Sequence, residues 1–268
     1  MQPKNNFGIK LLSVVIPAYK QELTIVKDIK SISSTLDRLG LKYEVIVVVD
    51  GMNDNTFIKA STLKSSKVKV LGYQKNQGKG QAIRYGMLHA SGDVIGFMDA
   101  GMDINPTGMI MLLNHMIWYN ADIIVGSKLH HASKVDYPTY RTILSWGYRF
   151  LTRLLFGFKI RDTQVGLKFF KRRVVRDVLP RLVVKRYAFD IEILAVAYSR
   201  NYKRIYEAPV EINFKQNGIT SWGIPKVVYL MIWDTFAVFY RLRILRFYQS
   251  KKKQKGAVHK NLSLSLTR

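Results

Sequence analysis

Two rhythms of apolar and polar positions alternate along the first half of the chain. Short β-rich runs (LLSVVIPAY from Leu11, YEVIVVVD from Tyr43, VKVLGY from Val68, VIGFMDA from Val94 and ADIIVGS from Ala121) are separated by stretches with helical spacing. That alternation predicts an α/β domain, a parallel sheet joined by crossover helices. TIVKDIKSISSTLDRLG reads as an amphipathic helix stopped at Gly40, and QAIRYGMLHA as a second one ended near Gly92. Pro106 opens a third that continues through MIMLLNHMIW. Past Lys128 the rhythm changes to a basic linker, an aromatic-rich helix (RTILSWGYRFLTRLLFGF), a mixed segment around RDTQVGLKFF, a helix around FDIEILAVAYS, a strand YEAPVEINF and a C-terminal helix. No internal repeat is present.

In open parallel sheets ligands collect at the carboxyl ends of the strands, so polar residues directly after each apolar run carry the most weight. These are Tyr19 with Gln21 and Glu22, then Asp50, then Asn76 to Gly80, then Asp99 with Asp103. An aspartate at such a place also serves turns and helix caps, and Asp50-Gly51 is a common turn pair. Repetition over several strand ends favours a site. Asp99 and Asp103 flank a short loop where a divalent ion could bridge protein and diphosphate. Mg²⁺ or Mn²⁺ suits it, because one or two carboxylates suffice when phosphate oxygens and water complete the shell. NQGKG has the look of a phosphate-cradling loop without the Walker or GxGxxG spacing, and its Lys79 serves either a nucleotide or solvent.

Charge sharpens the picture. The 268 residues carry a formal net charge of +25, and after Asp234 no acidic residue appears. A polyanionic partner is expected: nucleic acid, anionic lipid or a phosphorylated small molecule. Nucleic acid is disfavoured, since strand-end carboxylates would repel a phosphate backbone and no zinc-finger or RNA-binding motif occurs. The absence of cysteine excludes thiolate chemistry and disulfides, and the opening MQPKNNFGIK lacks the pattern of a signal peptide. A cytosolic setting is the expectation.

Taken in order, VVIPAY, VVVDGMNDNT, NQGKGQAIRYGMLHASGD, FMDAGMD, GSK, RDTQVGLKFF and YAFDIEIL resemble the family 2 glycosyltransferases, and within them the dolichyl-phosphate glucosyltransferases and dolichol-phosphate mannose synthases. The resemblance runs from about Leu11 to Phe214 and implies a GT-A fold. It implies that Pro17, Tyr19, Val48 and Asp50 line the base and ribose pocket of a nucleotide-sugar, UDP-glucose or GDP-mannose, with Gln21 and Glu22 also among the donor-binding residues. Lys79, Asp99 and Ala100 would face the diphosphate, with Lys215 supplying a cation from a loop. Lys128, Arg141 and Ser145 match positions expected at the phosphate of a polyprenyl acceptor, and Asp162 matches the active-site aspartate. The sequence departs from the family where Asp99-Ala100-Gly101 replaces Asp-x-Asp, which leaves Asp103 as the second metal carboxylate. The implied organisation is a catalytic domain over 1–223, including an interface helix at about 141–158, an amphipathic helix over 224–250 and a basic tail over 251–268.

A phosphate acceptor is ionised at neutral pH and needs no general base, so the implied reaction inverts the anomeric centre by direct attack. A soluble or polymeric sugar acceptor is the alternative, and that chemistry requires a base. No run of roughly 18 or more apolar residues exists to form an ordinary transmembrane helix. Arg141, Thr142, Ser145, Arg149, Thr152 and Arg153 share one face of their helix, opposite Trp, Tyr, Phe and Leu. That face and the C-terminal cations predict a peripheral protein on the cytoplasmic side of an anionic membrane, although a packed core helix has the same pattern.

Overall fold

A computed structural model describes residues 7–101, 103–135, 139–212 and 224–249, with the side chains of 135, 139–144 and 224–226 outside the description. The predicted strands are β1 (Leu12–Ala18), β2 (Tyr43–Asp50), β3 (Val68–Tyr73), β4 (Val94–Met98) and β5 (Ile123–Ser127). Between them lie α1 (Ile25–Arg38), α2 (Thr56–Ser61), α3 (Lys79–Leu88) and α4 (Gly108–Trp118). Beyond β5 follow β6 (Lys134–Val135), α5 (Thr139–Phe156), β7 (Leu167–Lys171), α6 (Arg172–Val178), α7 (Phe189–Ser199), β8 (Ile205–Pro209), β9 (Glu211–Ile212) and α8 (Ile224–Phe239).

The seven-stranded sheet has the order β3-β2-β1-β4-β7-β5-β8, and β6 pairs with β9 apart from it. Only β7 runs antiparallel to its neighbours. It comes from the RDTQVGLKFF stretch, whose helix-free apolar end LKFF is too short to show a period. The expected single strand YEAPVEINF divides at Val210 into β8, on the sheet edge, and β9, in the small ribbon.

The inner strands β1, β2, β4 and β5 are buried on both faces, which explains their near-continuous apolar runs, whereas the edge strands β3 and β8 are partly exposed. Alternate residues feed two cores: Val14, Ile16, Val45, Val47 and Val49 face the α1/α4 side, while Val15, Ile46 and Val48 face α3 and α7. The second core encloses α7, whose Phe189 through Ala197 are all buried. A helix apolar all round belongs in an interior.

Glycines set the spacing there. A Cβ on Gly80 would lie 2.5 Å from Cβ of Phe189, and one on Gly78, already at φ +104°, would lie 2.5 Å from the Lys185 carbonyl oxygen. The glycines of NQGKG thus let α3 approach α7. We expect Gly80→Ala to destabilise the protein by about 1–3 kcal/mol, the usual cost of overpacking. A denaturant titration with an unchanged midpoint would show that α3 and α7 are not held this closely.

Candidate active site

Strand order reverses between β1 and β4, because β2 and β3 extend to one side of β1 while later strands extend to the other. The crevice outside such a switch is where open sheets bind ligands. A cleft of about 520 Å³ lies there. Pro17, Tyr19 and Gln21 from β1 and its loop line one wall, with Asp50 and Lys79 next to Asp99 and Ala100. Arg186 and Tyr187 close another side, and Val227 with Leu230 of α8 supply an apolar wall.

The Asp50 carboxylate is held by the NQG loop: Gln77 N–H donates to Oδ1 at 2.7 Å, and Gly78 N–H and Asn76 Nδ2 donate to Oδ2 at 2.9 and 3.0 Å. Those backbone donors point at Asp50, so the loop is not a free phosphate cradle. Burial, with Asp50 close by, pushes the Tyr73 hydroxyl far above the ordinary tyrosine value. Its phenol stays neutral.

Asp99 follows β4 and is the polar centre of the cleft. Its Oδ2 accepts from Lys79 Nζ at 2.7 Å, while Oδ1 is buried with no partner among the described residues. Gly166, just before β7, makes this place possible: its carbonyl accepts the Asp99 N–H at 2.8 Å, and a Cβ on it would sit 1.8 Å from Asp99 Oδ2. The next loop turns at Gly101 (φ +101°), whose N–H donates to Oδ2 of buried Asp28 on α1 at 2.9 Å.

Behind Lys79 lies a second pair. Lys168, 0% exposed on β7, donates to Asp190 on α7 and to the Val165 carbonyl at 2.6 Å, and Asp190 Oδ2 is 3.8 Å from Lys79 Nζ. Cations and anions alternate along Asp99, Lys79, Asp190 and Lys168. Burial works against the charge on Lys79, but Asp99 and Asp190 outweigh it and hold its pKa above the lysine norm. For Lys168 burial dominates and lowers the pKa despite Asp190.

A second polar group occupies the same sheet edge beyond β7. Lys128 N–H donates to Asp162 Oδ2 at 3.0 Å, and its Nζ lies 3.7 Å from the same atom. Asp162 N–H and Arg161 N–H both donate to Glu207 Oε1. With β7 between β4 and β5, the strands carrying Asp99 and Lys128 are two spacings apart, about 10 Å. Gln164 N–H donates to Asp162 Oδ1, and Gln164 Nε2 donates to the Tyr148 hydroxyl, which shares a 2.8 Å hydrogen bond with Thr235 of α8. The rim is thereby tied to α5 and α8.

Some sequence-derived positions fall elsewhere. Val48 does not line the cleft: its side chain is fully buried in the second core, since the period-2 alternation turns it toward Gly86 on α3. Glu22 is also outside the lining, and its Oε2 accepts the Asn55 N–H ahead of α2. Asp103 is exposed and does not line the cleft. Arg141 lies in α5 with its side chain outside the described residues, and Lys215 is outside them altogether. Sequence reasoning assigned no role to Asp28, Gly166 or Lys168: Asp28 sits inside α1, Gly166 just before β7 and Lys168 within it, and the stretch RDTQVGLKFF that contains the last two does not by itself single them out.

No group of three or more His, Cys, Asp or Glu side chains capable of holding a metal occurs among the described residues. A single carboxylate with an unpartnered oxygen still fits a hard divalent cation that draws its other ligands from phosphate and water. Asp99 meets that condition, and Asp103 is not needed for it.

Sheet order and cleft define an α/β protein with a crevice at the β1/β4 switch. The chain belongs to glycosyl transferase family 2, whose profile matches residues 13–179. It is 35% identical over 202 residues to the dolichyl-phosphate β-glucosyltransferase of Drosophila melanogaster, covering 69% of this chain and 62% of that one. The human protein of the same name is 34% identical over 223 residues, covering 77% and 68%. The dolichol-phosphate mannosyltransferase of Pyrococcus furiosus is 31% identical over 234 residues, covering 86% and 63%. The chain spans less than two thirds of the Drosophila and Pyrococcus relatives. Among solved structures, glucosyl-3-phosphoglycerate synthase from Mycobacterium tuberculosis with Mn²⁺, UDP and phosphoglyceric acid superposes with a TM-score of 0.64 at 22% identity, covering 86% of this chain and 78% of that one. That likeness establishes a GT-A-like fold.

Proposed function

We propose that this protein transfers a hexose from a nucleotide-sugar to a polyprenyl phosphate, inverting the anomeric centre. The observation that carries the reading is the cleft's composition: a carboxylate-lysine pair at the switch point shares one cavity with the apolar side chains of α8. A nucleotide diphosphate suits the first and a prenyl chain the second. Relatives named as dolichyl-phosphate β-glucosyltransferases favour glucose, and UDP in the solved neighbour favours a uridine donor.

Pro17, Tyr19 and Gln21 would receive the base and ribose, with Asp50 fixing the loop beside them. Asp99 would hold Mg²⁺ or Mn²⁺, which supplies Lewis-acid neutralisation of the diphosphate. Lys79 places a preorganised positive charge where leaving-group charge develops, in a site that is already partly dry. Lys215 would add a second cation. Lys128, oriented by Asp162, and Arg141 would hold the acceptor phosphate and offset its repulsion from the donor. Glycosyl transfer to a soluble sugar is the competing outcome. A panel of nucleotide-sugars offered with a short polyprenyl phosphate tests both: label should enter the lipid phase from one donor, and label confined to water-soluble glycosides would reject the lipid acceptor.

The same reading makes the protein peripheral on the cytoplasmic leaflet. No described helix is long and apolar enough to cross a membrane. On α5 the i, i+4, i+8 stripe Trp146, Phe150 and Leu154 is 68%, 62% and 70% exposed, and Trp233 on α8 is 65% exposed. Amphipathic aromatics of this kind insert at the headgroup boundary and resist salt. Trp146→Glu with Phe150→Glu should remove flotation with neutral vesicles in high salt. Unchanged flotation would take α5 out of the membrane contact.

A further inference from the structure

A second cavity, of about 390 Å³, lies at the far end of α8 and shares no lining residue with the catalytic cleft. The helical path from Leu230 to Arg243 separates them by on the order of 20 Å. Phe156, Ala195 and Leu242 give it an apolar lining, and Lys203, Arg243 and Arg246 bring three cations to it. Among the described residues no carboxylate side chain lines it. Asp177 and Glu192, from the adjoining α6 and α7, are committed elsewhere: the first to Arg181 and Arg200, the second to Val183, Val184 and the Tyr248 hydroxyl. The sequence beyond this point contains no acidic side chain.

The backbone is shaped to gather these cations. Helix α8 ends in a five-residue π turn, Tyr240–Ile244, closed by Leu245 N–H to the Tyr240 carbonyl at 3.0 Å. Turns of this kind are frequent at functional sites. Arg246 then adopts φ +47°, a conformation uncommon outside glycine, and lines the cavity beside Arg243. Lys203 is set on the face of Tyr198, 3.3 Å from the ring centroid. Burial lowers its pKa, and the charge of Arg243 lowers it further.

We propose that this cavity is a phosphate-binding site separate from the catalytic cleft, taking a phosphorylated molecule between Lys203, Arg243 and Arg246. Two planar guanidinium forks and one ammonium match the several oxygens of a phosphate better than a single carboxylate. Two sources share that chemistry: the headgroup of an anionic lipid and a free phosphate. Ile244 and Leu245, which fall in sequence between the two lining arginines, are 63% and 54% exposed; this apolar surface next to the cations makes the lipid the expected source.

The test titrates the full chain with inorganic phosphate, with monomeric short-chain phosphatidic acid, and with phosphatidylcholine vesicles with or without phosphatidic acid. Beside any binding at the acceptor end of the catalytic cleft, the parent should show a saturable site that Arg243→Gln and Lys203→Gln each weaken by about tenfold or more, the scale of a lost charge-assisted hydrogen bond. Arg243→Lys should recover part of it, and matched thermal melts will show that the fold is kept. Binding of phosphatidic acid without inorganic phosphate identifies the lipid source, and equal binding of both identifies the free anion. If neither probe binds, or if both glutamine variants bind as the parent does, the cavity is not a phosphate site. Because these residues lie outside the catalytic cleft, hexose transfer to a soluble short-chain acceptor reports separately on the transferase reading.

Discussion

Asp99→Asn is expected to lower hexose transfer by at least about a hundredfold, in line with the loss of a principal electrostatic group at a developing charge. The substitution keeps the shape of the side chain, so the melting temperature should change little. It removes the charge that pairs with Lys79 and the unpartnered oxygen suited to a divalent cation. Gly166→Ala provides an independent route to the same atom, because its Cβ would fall 1.8 Å from Asp99 Oδ2 and force the carboxylate aside. Gly166 has no left-handed backbone requirement, so its effect should come from that displacement. Both variants should therefore lose activity together and bind Mn²⁺ in the presence of UDP more weakly than the parent. Full turnover by Asp99→Asn in chelator would remove the metal from the site, and full turnover by Gly166→Ala would mean that the carboxylate does not act from this position.

The contrast between Asp99 and Gly166 shows what the sequence could disclose. Asp99 ends an apolar run, and strand-end position is readable from local pattern alone. Gly166 acts only because β7 inserts antiparallel between β4 and β5, a pairing that brings together residues about 70 positions apart. Nothing in LKFF announces that partner. The burial of Val48 was hidden for the opposite reason: the run YEVIVVVD is apolar on both sides, so it contains no alternation to tell which valines face which helix layer. NQGKG was legible as a special loop but not in its role. Its glycines answer to the closeness of α7, and its N–H groups to the Asp50 carboxylate.

Lys168 carries the other large expectation. The sequence presents it as one more cation in a basic half, yet it is wholly buried against Asp190 and the Val165 carbonyl. Lys168→Met leaves the Asp190 carboxylate in the interior with Lys79 alone, at 3.8 Å. Removing one member of a buried pair typically costs about 3–5 kcal/mol, because the remaining charge stays desolvated. Asp190→Asn in the same chain removes that charge, so the double variant should be more stable than the additive sum by roughly 0.5–3 kcal/mol. Catalysis should respond differently from stability. With its neighbours changed, Lys79 has no anion but Asp99, and the alternating chain that positions it is broken. The double variant should thus recover melting temperature while kcat stays depressed, with KM for the donor less affected. Additive losses of stability would show that Lys168 and Asp190 are not coupled, and recovery of kcat along with stability would confine the pair to a structural role.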